Sequence, residues 1–192
     1  MKAIGYWLFL CFLRCLAMLP YALVARAGSA LGAALYRVPS HRKHVVHVNL
    51  RLCFPTMTDS EREQLAMEHF RHVVRSYFER GVQWFGSART ISRLVEVDSR
   101  IDLDDPSATS FMGFHFVGIE VGCMLYSSRR PVAALYTRMS STRLGELARR
   151  QRGRFGAEMI ERTGTAKNVV RLLRSGVPVM LAADMDHGPV GS

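Results

Sequence analysis

From Ser110 onward the chain alternates short apolar runs with amphipathic stretches, and this rhythm narrows the folds open to it. Ser110–Phe116, Val132–Thr137, Ala157–Ile160 and Pro178–Ala183 read as strands. Gly118–Tyr126, Thr142–Arg152 and Thr165–Leu173 read as helices between them. Strand and helix alternating at this spacing predict an α/β layer, a sheet flanked by helices. The stretch SRIDLDDPSAT (Ser99–Thr109) reads as the loop leading into it.

The N-terminal part has a different character. Ala3–Ala25, AIGYWLFLCFLRCLAMLPYALVA, contains Arg14 as its only charge and Pro20 near its end. Its length suits a membrane helix, yet Arg14 sits badly for deep insertion unless the helix is tilted or only partly embedded. A cleavable signal peptide and a buried core helix are the competing readings. Residues 1–37 are expected to form a membrane anchor or embedded hairpin. Lys2 precedes this segment, whereas Arg26, Arg37, Arg42 and Lys43 follow it, which places the downstream part in the cytoplasm.

Residues 38–108 read as a helical, basic, membrane-proximal part, with residues 109–192 as the α/β part. His41, His44 and His47 recur every third residue, but alone they lack carboxylate support and a fourth ligand for a metal. They read better as a basic face, as do His69 and His72. Thr58-Asp59-Ser60-Glu61 has the form of a capping box and opens a helix running to about Phe85. Leu65, Phe70, Val73, Val74, Tyr77, Phe78 and Trp84 form its apolar stripe.

The formal net charge of +10, from 26 basic and 16 acidic side chains, favours an anionic partner: nucleic acid, membrane phosphate or an acidic protein. No nucleic-acid-binding motif is present. Cys11, Cys15, Cys53 and Cys123 show neither C-x-x-C nor zinc spacing and read as reduced structural thiols.

Within FMGFHFVGIEVG (Phe111–Gly122), only His115 and Glu120 have ionisable side chains. His115 falls at the end of a predicted strand, and Glu120 in the first turns of the following helix. A strand-to-helix turn places residues at the carboxyl edge of the sheet, where α/β proteins keep their sites. Glu120 there can accept from one imidazole nitrogen, leaving the other to take a proton from a hydroxyl. A satisfied core histidine at a helix start explains the pattern equally well. No Ser or Cys sits in a nucleophile elbow, and Cys123 reads as core.

The segment Gly113–Glu120 resembles the H-x4-[DE] motif of the glycerolipid (lysophospholipid) acyltransferase superfamily, most closely the branch that acylates lipid A precursors in Gram-negative bacteria. NLRLCFP (Asn49–Pro55), TDSEREQLA, QRGRFGAEMIER (Gln151–Arg162) and RLLRSGVPVMLAADMDHGPVGS (Arg171–Ser192) follow the order of that family. The resemblance implies a mixed sheet flanked by helices. It implies His115 as general base with Glu120 as its partner, and Arg152 and Asp184 as substrate-binding or oxyanion-stabilising residues. It further implies acyl transfer from acyl carrier protein or acyl-CoA to a hydroxyl of an anionic glycolipid, at the cytoplasmic face of the bacterial inner membrane. The acyl thioester serves as co-substrate, with no cofactor or metal. Asp184-Met185-Asp186 also has the D-x-D form of a metal-binding glycosyltransferase, and turn chemistry before Gly188-Pro189 is the alternative account of both aspartates. Family members continue past the point matching Ser192 with a further strand. A truncated chain with an unpaired sheet edge is therefore expected, either weakly active or an inactive lipid-binding fragment.

Overall fold

The computed structural model describes residues 3–100, 102–105, 109–163 and 165–184, and in it the apolar N-terminus is two helices rather than one. Helix α1 covers Ala3–Met18 and helix α2 covers Tyr21–Tyr36. Pro20 stands at the N-cap of α2 with φ −55° and ψ 132°. Proline lacks a backbone N–H and bars the residue before it from helical conformation, so the run breaks there. Each helix has 16 residues. At about 1.5 Å per residue, neither reaches the roughly 30 Å of a bilayer core. No helix among the described residues is long and apolar enough to cross a membrane. The expectation of a spanning anchor is corrected accordingly.

Two compact units follow. The helical one runs from Leu8 to Phe85 and holds most of α1, all of α2, α3 (His41–Cys53) and α4 (Asp59–Phe85). The boundary expected at residues 37 and 38 falls inside it, because α2 packs along α4. Gly28 and Gly32 allow that approach. A Cβ on Gly28 would lie 2.7 Å from Arg75 Cα, and one on Gly32 would lie 2.6 Å from both Arg71 Cα and the Phe70 carbonyl oxygen. Leu13, Leu16, Val24, Tyr36, Ala66 and Val82 are buried in this unit. Tyr77, expected in the apolar stripe, is exposed.

The capping box forms as read. Thr58 N–H donates to Glu61 Oε2 at 2.7 Å, and Glu61 N–H donates to Thr58 Oγ1 at 3.3 Å. His47 has a packing role, its Nε2 lying 3.2 Å from Tyr36 Oη and 3.5 Å from Glu63 Oε2. That contact ties α3 to α2 and α4. Among the described residues, no group of three or more His, Cys, Asp or Glu is placed to hold a metal.

The second unit comprises the residues from Gly86 onward together with those up to Trp7. After α5 (Ala88–Leu94) come β1 (Ser110–Gly113), α6 (Ile119–Ser127), β2 (Val132–Tyr136), α7 (Thr142–Arg152), β3 (Ala157–Glu161), α8 (Ala166–Arg174) and β4 (Val179–Ala182). The strands lie in the order β1-β4-β2-β3. Every described pair is parallel, which corrects the expected mixed sheet. The reason is local: a helix lies between each strand and the next in sequence, and such crossovers return the chain in the same direction.

Side chains alternate between the two faces, as the period of a strand requires. Ala133, Ile160 and Val179 pack with Leu172 of α8. Val132 and Ala157 pack with Tyr126 of α6. Helices α6 and α8 therefore cover opposite faces of the sheet, most fully at β2, while Met112 of β1 stays exposed.

Two glycine substitutions should move stability in opposite directions. Gly32→Ala drives a methyl into the α4 backbone and should cost about 1–3 kcal/mol. Gly122→Ala, in α6 with nothing within 4 Å of the added carbon, should stabilise by about 0.5–1 kcal/mol. Chemical denaturation followed by circular dichroism measures both.

Candidate active site

Parallel pairing of β1 with β4 sets Gly113 opposite Ala182. Two residues further along each strand stand His115 and Asp184, at the same carboxyl edge. The His115 backbone N–H donates to Asp184 Oδ2 at 2.8 Å, and its ring Nδ1 lies 2.7 Å from Oδ1. One carboxylate thus holds both the backbone and the ring of His115. An ionised carboxylate only accepts hydrogen bonds, so Nδ1 carries the proton and Nε2 presents a lone pair. The imidazole is about half exposed, at 46%. Hydrogen bonds from His115, first from the backbone and then from the ring, hold the Asp184 carboxyl below its ordinary range.

Glu120 occupies the first turn of α6, where the helix dipole favours an anion. Its side chain is only 9% exposed, and Oε2 lies 3.3 Å from Arg152 Nη2. A carboxylate that deep needs a cation, and Arg152 supplies it from the last residue of α7. Neighbouring Arg149 pairs instead with Glu146, at 2.8 Å on the surface. Arg154 donates to the Gly86 carbonyl and lies against the Phe155 ring.

The four residues singled out from the sequence are therefore brought together as two pairs, and the expected pairing of His115 with Glu120 is not one of them. The carboxylate on the imidazole belongs to Asp184, whereas Glu120 meets Arg152. Asp186 lies outside the described residues. The predicted first strand stops at Gly113, short of Phe116, and the chain turns there, with Phe116 N–H donating to the Phe114 carbonyl at 2.7 Å. Phe114, Phe116 and Val117 are exposed around His115, not buried as an apolar run suggests. Sequence reasoning missed this apolar rim. The signal was the turn-forming Val117-Gly118 directly after the run.

Cys123 packs beside Tyr126 and Val132, and burial pushes its thiol up to about 11. A thiol held there is protonated at neutral pH and is a poor nucleophile.

The parallel sheet thus carries, at its carboxyl edge, an imidazole oriented by a carboxylate. The bacterial lipid A biosynthesis acyltransferase family matches residues 1–192, and the chain belongs to that family. It is 30% identical over 190 residues to the lipid A biosynthesis lauroyltransferase of Escherichia coli K12, covering 97% of this chain and 62% of that protein. It is 28% identical over 178 residues to the palmitoleoyltransferase of the same organism, covering 91% and 58%. A lipid A biosynthesis acyltransferase of Haemophilus influenzae is 27% identical over 187 residues, covering 95% and 60%. The chain thus spans about three-fifths of the length of these relatives.

The pH dependence of the His115–Asp184 link follows from the sign of the shift. Asp184 titrates lower folded than its ordinary 3.8, so the link's contribution is complete above that value and is lost as pH falls through the lower folded one. NMR of the His115 backbone amide should show a step below pH 3.8. A step above that value would remove the pairing.

Proposed function

We propose that the His115–Asp184 pair is the general base of an acyl transfer in lipid A biosynthesis. The acceptor is a hydroxyl of an anionic lipid A precursor, and the donor is an acyl thioester carried by acyl carrier protein or coenzyme A. His115 Nε2 takes the hydroxyl proton as the oxygen attacks the thioester carbonyl. The C–O bond forms, the C–S bond breaks, and the proton passes from the imidazolium to the departing thiolate. Asp184 keeps Nε2 unprotonated beforehand and stabilises the imidazolium that forms. The step is complete with two substrates and calls for no cofactor.

The observation that carries this reading is the double contact of one carboxylate on both the backbone and the ring of His115. Exposed Phe114, Phe116 and Val117 offer the acyl chain an apolar surface beside the base. The Glu120–Arg152 pair acts at one remove. It anchors the start of α6, and with it the turn bearing His115. The basic residues Arg26, Arg37, Arg42 and Lys43 suit a place beside an anionic membrane surface.

Transfer of a labelled acyl chain from carrier protein to a lipid A precursor in detergent tests the proposal. His115→Ala should reduce kcat about 10²–10⁴-fold, the usual worth of a positioned base. Asp184→Asn should lose kcat with KM little changed, because the amide favours the wrong tautomer. Glu120→Gln should act mainly through a lower melting temperature. Undiminished transfer by His115→Ala would overturn the assignment.

A further inference from the structure

A second cluster lies in the helical unit, well apart in sequence from the catalytic pairs. Gly28 and Gly32 seat α2 directly on the α4 backbone at Arg75 and Arg71. With the backbones in contact, the two arginine side chains emerge along the side of the seam. Small residues of α2, namely Ala25, Ser29 and Ala30, leave a cavity of about 250 Å³ there, and Arg26 borders it from α2. Arg26, Arg71 and Arg75 thus all line one open hollow, large enough for a small anion with its hydration.

The acids nearby are partly engaged. Arg75 donates through Nε to Glu79 at 2.6 Å and through Nη2 to Tyr21 Oη at 2.7 Å, which fixes its plane. Arg71 Nη1 lies 3.5 Å from Glu68. Arg26 is exposed, and among the described residues no acid stands against it. Ser29 lines the same hollow and brings a hydroxyl to it. Planar guanidinium forks around a hydroxyl match the oxygens of a phosphate.

The surroundings indicate where that phosphate comes from. Leu23 and Leu31 on α2, and Leu8, Phe12 and Met18 on α1, are large apolar side chains with 43–85% of their surface exposed. Such a concentration marks an interaction face and not ordinary surface. Helices too short to span, apolar outward and arginine-bordered, suit a position within the headgroup boundary of a bilayer. We propose that the seam formed by Arg26, Ser29, Arg71 and Arg75 binds the phosphate of an anionic phospholipid headgroup and fixes the depth at which α1 and α2 sit. The seam recognises its lipid independently of the acyl-transfer chemistry at His115.

The test uses the whole chain in flotation with two kinds of vesicle, pure phosphatidylcholine and phosphatidylcholine with one-fifth phosphatidylglycerol. The readout is the ratio of the two affinities. Arg26→Gln should lower that ratio about five-fold, and Arg26→Gln with Arg71→Gln about 25-fold, from the usual worth of a basic side chain at an anionic surface. Ser29→Leu fills the cavity without removing charge and should also lower the ratio. Lys167→Gln with Arg174→Gln removes equal charge from α8 and should leave it unchanged. Circular dichroism confirms that each variant is folded; Arg26→Gln, at an exposed position, keeps the test open if Arg71→Gln unfolds. Equal loss in the α8 pair would mean diffuse attraction and overturn the site. Loss of the preference on replacing chloride with inorganic phosphate at equal ionic strength would assign the seam to the free ion. Acyl transfer in detergent is measured separately, so failure here and failure of the catalytic reading are told apart.

Discussion

The parallel pairing of β1 with β4 is the constraint on which the site depends. These strands are distant in the chain, yet β4 lies between β1 and β2, bonded to both. Val179, in β4, is fully buried. Only this register sets His115 and Asp184 level with each other beyond the strand ends, although they stand 69 residues apart. A slip of one residue would turn the β4 side chains to opposite faces and carry Asp184 off the imidazole. Assembly of the His115–Asp184 pair is therefore inseparable from pairing of β4 with its neighbours.

The observed pairing has an electrostatic logic. Glu120 is nearly buried at a helix start and requires a full cation. Arg152 is charged at every relevant pH and fills that position. Asp184 is more exposed than Glu120 and can hold a neutral imidazole without demanding that it ionise. Of the two carboxylates, the one in the wetter setting suits a base that must start neutral.

Much of the fold was legible in the sequence because its signals are local. The strand–helix rhythm located β1 to β4, and Thr58 and Glu61 announced the start of α4; Pro20 was read only as lying near the end of one apolar run, not as the break between α1 and α2. Strand order is a different matter. The rhythm says that β1 precedes α6, but nothing in it says that β4 inserts between β1 and β2. His115 and Glu120 are close in sequence and invited pairing, whereas the Asp184 contact depends on a neighbour chosen by packing of the whole sheet. Exposure of Phe114 and Phe116 was hidden for a related reason. An apolar run reads as buried until the strand is seen to end at Gly113.

An exposed base beside exposed aromatic rings poses a problem that the proposed substrates themselves resolve. Water at His115 Nε2 would compete with the acceptor hydroxyl for the thioester, and the imidazole is 46% exposed. A donor chain and an acceptor bearing acyl chains would both lie on Phe114, Phe116 and Val117, covering the base with hydrocarbon as they bind. Exclusion of water would then follow from occupancy, with no lid required of the protein, and a water-soluble acceptor lacking acyl chains would leave the base wet. In the proposed reaction, the apolar rim thus favours transfer to lipid over hydrolysis, since the substrate that completes the site is also the one that dries it.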